Sequence, residues 1–297
     1  MAEIRLDPRV RENVVAWEGD AGRRWLDSLP GVVASLTERW ELADFASALP
    51  GGSHSYVVPV RSPHGPAVLK VPLVGDENRL EGEALRLYDG DGAVRLLASD
   101  VETGALLIEQ CVPGTPLDDH PDREEAIDLA CATLRRLWRE PPAKHQFILV
   151  TRKAAEWAAT FAPRAPAPPA LVEEAAALAR ELADDTGPVV LVNRDAHLGN
   201  ILAAAREPWL LIDPKPLAGD PAFDAGYLAG YLVGSTPTRA EVARIVARLA
   251  EGLGVDRARV RAWTMIRAVE NMFWALQVND DPSPYVALAD GASRGAS

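Results

Sequence analysis

The stretch VVLVNRDAHLGNILAAAREPWLLIDPKPLAGDPAFD, residues 189–224, carries the densest pattern in the chain. Val189 to Val192 is a short apolar run of buried-strand type. It delivers a polar loop, Asn193 to Asn200, that holds Asp195, His197 and Asn200. Two further apolar runs, Ile201–Ala205 and Trp209–Ile212, are separated by Arg206-Glu207-Pro208 and predict a hairpin. The second run stops at Asp213. Asp195, Asn200 and Asp213 therefore fall at strand ends and in a loop, where a scaffold can aim them at one point. A carboxylate base and two oxygen donors for Mg²⁺ are what phosphoryl transfer from ATP requires, because that chemistry is chiefly positioning and charge neutralisation. D-x-x-x-x-N alone is common in loops. Its weight here comes from strand, loop, hairpin and second aspartate arriving in that order.

Working outward, 297 residues suffice for one large or two modest domains. The hydrophobic fraction of 48% and charged fraction of 25% are those of an ordinary globular protein. A formal net charge of −12 argues against nucleic-acid and anionic-membrane partners and suits a cationic small molecule. Cys111 and Cys131 make neither a disulfide framework nor a metal spacing, and both read as small core residues. The N-terminus lacks the apolar core of a signal peptide and no run reaches membrane-spanning length, so a cytoplasmic location is expected.

Residues 1–42 have helical spacing in two pieces, with the break expected at Pro30-Gly31. From Leu42 the texture becomes strand, glycine turn, strand, turn, strand. In the turn Gly51-Gly52-Ser53-His54-Ser55, small residues would let backbone N–H groups approach a phosphate, although a plain glycine hairpin is the commoner object. The strand AVLKV sets Lys70 among apolar neighbours, where a lysine needs a partner or a ligand. The helical stretch after it offers Glu81 and Glu83. Glu81 shares a face with Ala84, Leu85 and Tyr88 and is the preferred partner.

Ala93–Ala98 and Ala105–Gln110 read as two more strands, completing a five-stranded sheet. Gln110-Cys111-Val112-Pro113-Gly114 reads as a hinge, with Gln110 and Val112 the backbone groups placed for an adenine edge. The chain thus divides into an N-terminal part, 1–110, a hinge, 111–114, and a mainly helical part, 115–297. Helices are predicted at Asp122–Glu140, Thr151–Phe161, Leu171–Asp184, Ala225–Leu232, Arg239–Leu253 and Val260–Val278. The last carries Glu270 and Trp274, candidates for a polar pocket wall. From Gly291 onward the tail predicts disorder.

Taken together, the glycine turn, lysine strand, glutamate helix, hinge, D-x-x-x-x-N and I-D-P resemble the aminoglycoside phosphotransferase family. GDGAVRLLASD, GALLIEQCVPGTPL, DAHLGNIL and WLLIDPKPLAGDPAFD look most like its streptomycin 6-phosphotransferase and hydroxyurea phosphotransferase branch. The resemblance implies an α+β, bilobal, protein-kinase-like fold. Its small N-terminal lobe would hold a five-stranded antiparallel sheet and one key helix, and its larger lobe would be mainly helical. It implies ATP and Mg²⁺ as cofactors and a small-molecule acceptor, streptomycin-like or hydroxyurea. It further implies Asp195 as the base or orienting group for the acceptor hydroxyl, with Asn200 and Asp213 holding Mg²⁺. Lys70 and Glu81 would be the phosphate-positioning pair, and Gly52, Ser53 and Ser55 the glycine-loop contacts. Arg194, His197, Glu270 and Trp274 are weaker acceptor-side candidates, and Asp220 and Asp224 would brace the catalytic loop. The family writes this loop H-G-D-x-H. Asn193-Arg194 is a departure, and an arginine in place of glycine predicts a backbone without positive φ there.

Overall fold

The computed structural model describes residues 6, 8–49, 54–75, 78–163, 166–185 and 187–294, apart from the Arg9 side chain. The chain forms two compact units. One is Met1–Gly114 with Ala203–Leu210, and the other is Thr115–Leu202 with Leu211–Ser297.

The first unit is built on four antiparallel strands, β1 (Ser55–Ser62), β2 (Gly65–Pro72), β3 (Leu96–Ser99) and β4 (Leu106–Glu109), in the order β1-β2-β4-β3. Period-two alternation sorts β2 into two faces. Ala67, Leu69 and Val71 join Val58, Val60 and Leu107 in a core covered by Leu29, Val33 and Leu36 of the long helix α1 (Pro8–Arg39). Lys70 therefore points to the other face, toward α2 (Glu81–Tyr88). Helix α2 approaches the sheet closely at Gly82, where a Cβ would lie 2.9 Å from a Leu106 methyl.

Three expectations change here. The break in α1 lies at Gly19 (φ 54°), and Pro30 sits inside the helix instead of ending it. The fifth strand is an irregular edge. Ala43, Ala46 and Leu49 donate to Arg61, Pro59 and Val57, three residues of one segment matching two of the other, and only Ala43–Arg61 is a regular bridge. The positive φ of Asp44 accompanies this bulging. The segment Ala203–Leu210, expected within 115–297, clusters with the first unit. Arg206 binds Glu109 at 2.9 Å through both Nε and Nη2 and donates to the Ala93 carbonyl.

Strands β5 (Pro113–Pro116), β7 (Ile201–Ala204) and β8 (Trp209–Leu211) form a three-stranded sheet in the order β5-β7-β8. In the second unit β6 (Val190–Asn193) pairs antiparallel with β9 (Pro216–Gly219), setting Asn193 opposite Pro216. Around them pack α3 (Arg123–Leu137), α4 (Val150–Thr160), α5 (Pro169–Ala183), α6 (Ala222–Leu232), α7 (Arg239–Leu253), α8 (Arg257–Gln277) and α9 (Ser283–Ala292). Asp122 caps α3 by accepting two backbone N–H groups, and Thr238 and Glu241 close a capping box on α7. Helix α9 runs through Gly291 and Ala292, where disorder was expected; residues 295–297 lie outside the described residues. Helix α8 is buried on most sides and meets α6 at Gly226, where a Cβ would come within 2.8 Å of Trp263. No described helix is long and apolar enough to cross a membrane.

Candidate active site

In the first unit Lys70 Nζ donates to both Glu81 oxygens, at 2.7 and 2.6 Å. Glu81, rather than Glu83, is the partner, because it opens α2 on the face that Gly82 lets press against the sheet. The pair is 5% and 1% exposed. Two charges this deep persist only when paired. Ser55 is buried at the start of β1, opposite Pro72. Gln110 follows β4 and Val112 is exposed. Gly52 and Ser53 lie outside the described residues.

In the second unit β6 ends at Asn193, which is 2% exposed. Its backbone N–H donates to Asp224 Oδ1 at 2.6 Å, and Trp138 Nε1 donates to Asp224 Oδ2 at 2.8 Å. Burial pushes the Asp224 carboxyl up to about 7, against the pull of these two hydrogen bonds. Asp224 thus braces the loop. Asp220 does something else: it binds Arg259, Trp263 Nε1 and the Ala222 N–H, fixing the start of α6 to α8.

The Asn193 side-chain oxygen accepts the N–H of Asp195 at 3.1 Å and that of Lys215 at 2.9 Å. The Arg194 N–H donates to the Lys215 carbonyl at 2.9 Å. The loop and the segment after β8 are stitched together through one amide oxygen. Lys215 Nζ then reaches Asp195 Oδ2 at 2.9 Å. Asn200 Nδ2 also approaches that oxygen, at 3.3 Å, and donates to the Asp195 carbonyl at 3.2 Å. Tyr227 on α6 hydrogen-bonds the same carboxylate. Burial works to raise the Asp195 carboxyl, but Lys215, His197 and Tyr227 outweigh it and hold the group below its ordinary value.

His197 Nδ1 accepts the Gly199 N–H at 3.1 Å, its ring stacks on Tyr231 at 4.9 Å, and Nε2 stands 3.8 Å from Asp195 Oδ1. Burial lowers its proton affinity against the pull of Asp195. Asp213 follows β8 with φ 49°, a left-handed turn that aspartate tolerates better than most residues. It is near enough to act electrostatically on His197. Asp195, His197, Asn200 and Asp213 thus converge.

Arg194 and Glu270 are held by each other. The Arg194 guanidinium binds Glu270 Oε1 at 2.5 Å, and Arg267 binds Glu270 Oε2 and the Arg194 carbonyl. Arg267 is buried beneath Trp157, Phe223 and Tyr227, 5.1 to 5.8 Å from their ring centres. Arg194 is absent from the positive-φ positions, as its replacement of glycine implied. Trp274, one turn beyond Glu270, is exposed.

Lys215 and Tyr227 are the members that sequence reading missed. Lys215 lies within the 189–224 stretch, but the sequence reading gives it no role. Its signal was the I-D-P-K-P run, but the β6–β9 register that carries it to Asp195 is a pairing between segments 20 residues apart.

A family model described as aminoglycoside/hydroxyurea antibiotic resistance kinase matches residues 39–279. The chain belongs to this family. Among its relatives, a streptomycin 6-kinase of Streptomyces glaucescens is 36% identical over 87% of both chains. A hydroxyurea phosphotransferase of Kitasatospora aureofaciens is 34% identical over 97% of this chain and 86% of its own. The fold matches that of aminoglycoside phosphotransferase APH(4)-Ia, solved as a mutant with ADP and hygromycin B. The TM-score is 0.64 at 15% identity, over 89% of this chain and 99% of that one. A choline kinase from Streptococcus pneumoniae matches with a TM-score of 0.61 at 14% identity, over 89% of this chain and 98% of its own. The protein-kinase-like fold of this family member is therefore the one its sequence implied.

Proposed function

We propose that the protein transfers the γ-phosphoryl group of ATP to an acceptor on a small molecule, of the streptomycin or hydroxyurea type. The carrying observation is the Asp195 carboxylate, fixed by Lys215, Asn200 and Tyr227 at the end of a braced strand. In the transfer the acceptor hydroxyl oxygen bonds to Pγ, the bond from Pγ to the β,γ-bridging oxygen breaks, and that electron pair leaves on ADP. Asp195 orients the hydroxyl and takes its proton. Lys70, held by Glu81, binds nucleotide phosphate oxygens, Ser55 contacts the phosphates, and Gln110 and Val112 meet the base.

The donor set fits Mg²⁺. Asn200 turns its amide nitrogen to Asp195, so its side-chain oxygen would be the donor to the ion, with the Asp213 carboxylate as a second. These are hard oxygen donors of the kind Mg²⁺ takes, and the ion would neutralise phosphate charge. The relatives' names support the acceptor class, and the ADP complex of APH(4)-Ia supports the nucleotide. Glu270, bonded to two arginines, supports Arg194 as a shaping element of the acceptor side rather than an anion offered to a cation.

The test is ADP release and phosphorylated-product detection with ATP and Mg²⁺ over streptomycin, hydroxyurea and other hydroxylated acceptors. Turnover on one of them supports the reading. Nucleotide binding without turnover on any acceptor would favour a nucleotide-binding protein instead.

A further inference from the structure

We propose that Lys215 is a catalytic residue, its ammonium joining Asp195 to the phosphoryl group during transfer. The inference rests on the phosphotransferase reading above. A carboxylate that orients an attacking hydroxyl stands close to a phosphoryl group carrying several negative oxygens, and the two repel. Coulomb's law at an effective dielectric of a partly buried site makes that repulsion worth roughly a hundredfold in rate. A cation fixed on the carboxylate offsets it at the point where charge develops.

Lys215 is built for that place. Its Nζ is 2.9 Å from Asp195 Oδ2, with the lysine side chain 26% exposed and that of the aspartate 18% exposed. Neither end of the pair relies on its own side chain for position. One buried oxygen, Asn193 Oδ1, accepts both the Asp195 and the Lys215 backbone N–H, and the Lys215 carbonyl accepts from Arg194. The next residue, Pro216, enters the β6–β9 ladder opposite Asn193. Because the two segments are already joined by backbone bonds, the loop does not depend on this pair for its position. The pair does hold a cation on the carboxylate that the acceptor hydroxyl must reach. His197 faces Asp195 from the loop, and Asp213, at the end of β8, acts on His197, so the lysine works beside the proposed metal position rather than in place of it.

The experiment compares wild type, Lys215→Ala, Lys215→Met and Lys215→Arg in Mg²⁺ buffer. It reads ADP and AMP-PNP affinity by calorimetry, melting temperature, and kcat and KM on whichever acceptor turns over. The proposal expects Lys215→Ala and Lys215→Met to weaken AMP-PNP about tenfold while ADP affinity stays within about twofold, since only the terminal phosphoryl group is lost as a contact. It expects kcat to fall roughly a hundredfold with acceptor KM nearly unchanged, Lys215→Arg to recover part of it, and melting temperatures to stay within a few degrees. Equal weakening of ADP and AMP-PNP, or a wild-type kcat in Lys215→Met, overturns it. Wild type that transfers phosphate to no acceptor sinks the phosphotransferase reading, whereas the two-nucleotide comparison still decides whether Lys215 meets the terminal phosphoryl group.

Discussion

Arg194 and Glu270, 76 residues apart in the chain, are bonded at 2.5 Å, and the same carboxylate neutralises the buried Arg267. The residue that departs from the family's loop pattern is thus tied into the wall of the second unit. Removing Glu270 leaves Arg267 charged beneath three aromatic rings. Glu270→Gln is expected to cost about 3–5 kcal/mol, the usual penalty for orphaning a buried charge. Arg194→Gly should cost far less, because the Arg267–Glu270 bond remains. Urea unfolding of both variants checks this; equal losses would show that Arg194, and not Arg267, needs the carboxylate.

Asp195→Asn keeps the shape of the side chain but removes the negative charge that meets Lys215. Turnover should drop by at least about 10³-fold, in line with losing a base and the charge it carries, while calorimetric ATP affinity changes little. Wild-type turnover in this variant on a confirmed acceptor would show that another group handles the hydroxyl.

Lys70 and Glu81 should behave as a unit. Either Lys70→Ala or Glu81→Ala takes from a buried charge the partner that binds it at both oxygens, so each alone is expected to destabilise the protein by several kcal/mol, with the double variant no worse than the worse single one. A double-mutant cycle on thermal or chaotrope unfolding measures the coupling. Losses that simply add would mean the two charges are independently satisfied.

Asp224 supplies a pH signature of opposite sign to the usual carboxylate. Its folded-state value, raised to about 7 by burial, exceeds that of the unfolded chain, so the folded state holds the proton more tightly. Its contribution is fully present below about pH 4 and is lost as pH rises toward 7. The stability difference, wild type minus Asp224→Asn, should therefore fall across that window and flatten above it. A difference that rises with pH there would mean the carboxylate is stabilised as the anion by Trp138 and Asn193.

Much of this was written locally. Hydrophobic period and turn residues marked the strands around Lys70, the helix that opens at Glu81 and the hairpin between Asn200 and Asp213, because those features depend on neighbours a few residues away. The Lys70–Glu81 bond followed from two faces, one on β2 and one on α2, that could each be read alone. Spacing also brought Asp195 to a strand end.

Other features had no local signature. Pro30 would ordinarily end a helix, yet α1 continues through it and breaks at Gly19, because packing on the sheet outweighs propensity. The first edge segment bulges at Asp44, which strand alternation does not reveal. Asp220 and Asp224 sit four residues apart in one motif, but only Asp224 reaches the loop, and which one does so depends on where α6 and α8 cross at Gly226.

By itself the sequence determined which residue types could perform phosphoryl transfer and which segments would carry them, since those rest on chemistry and short-range periodicity. Only the tertiary structure decided which charges face Asp195 and Arg194. Lys215 sits on Asp195, and Arg194 on Glu270, because strand register and helix crossing set distances between residues that the chain order keeps far apart.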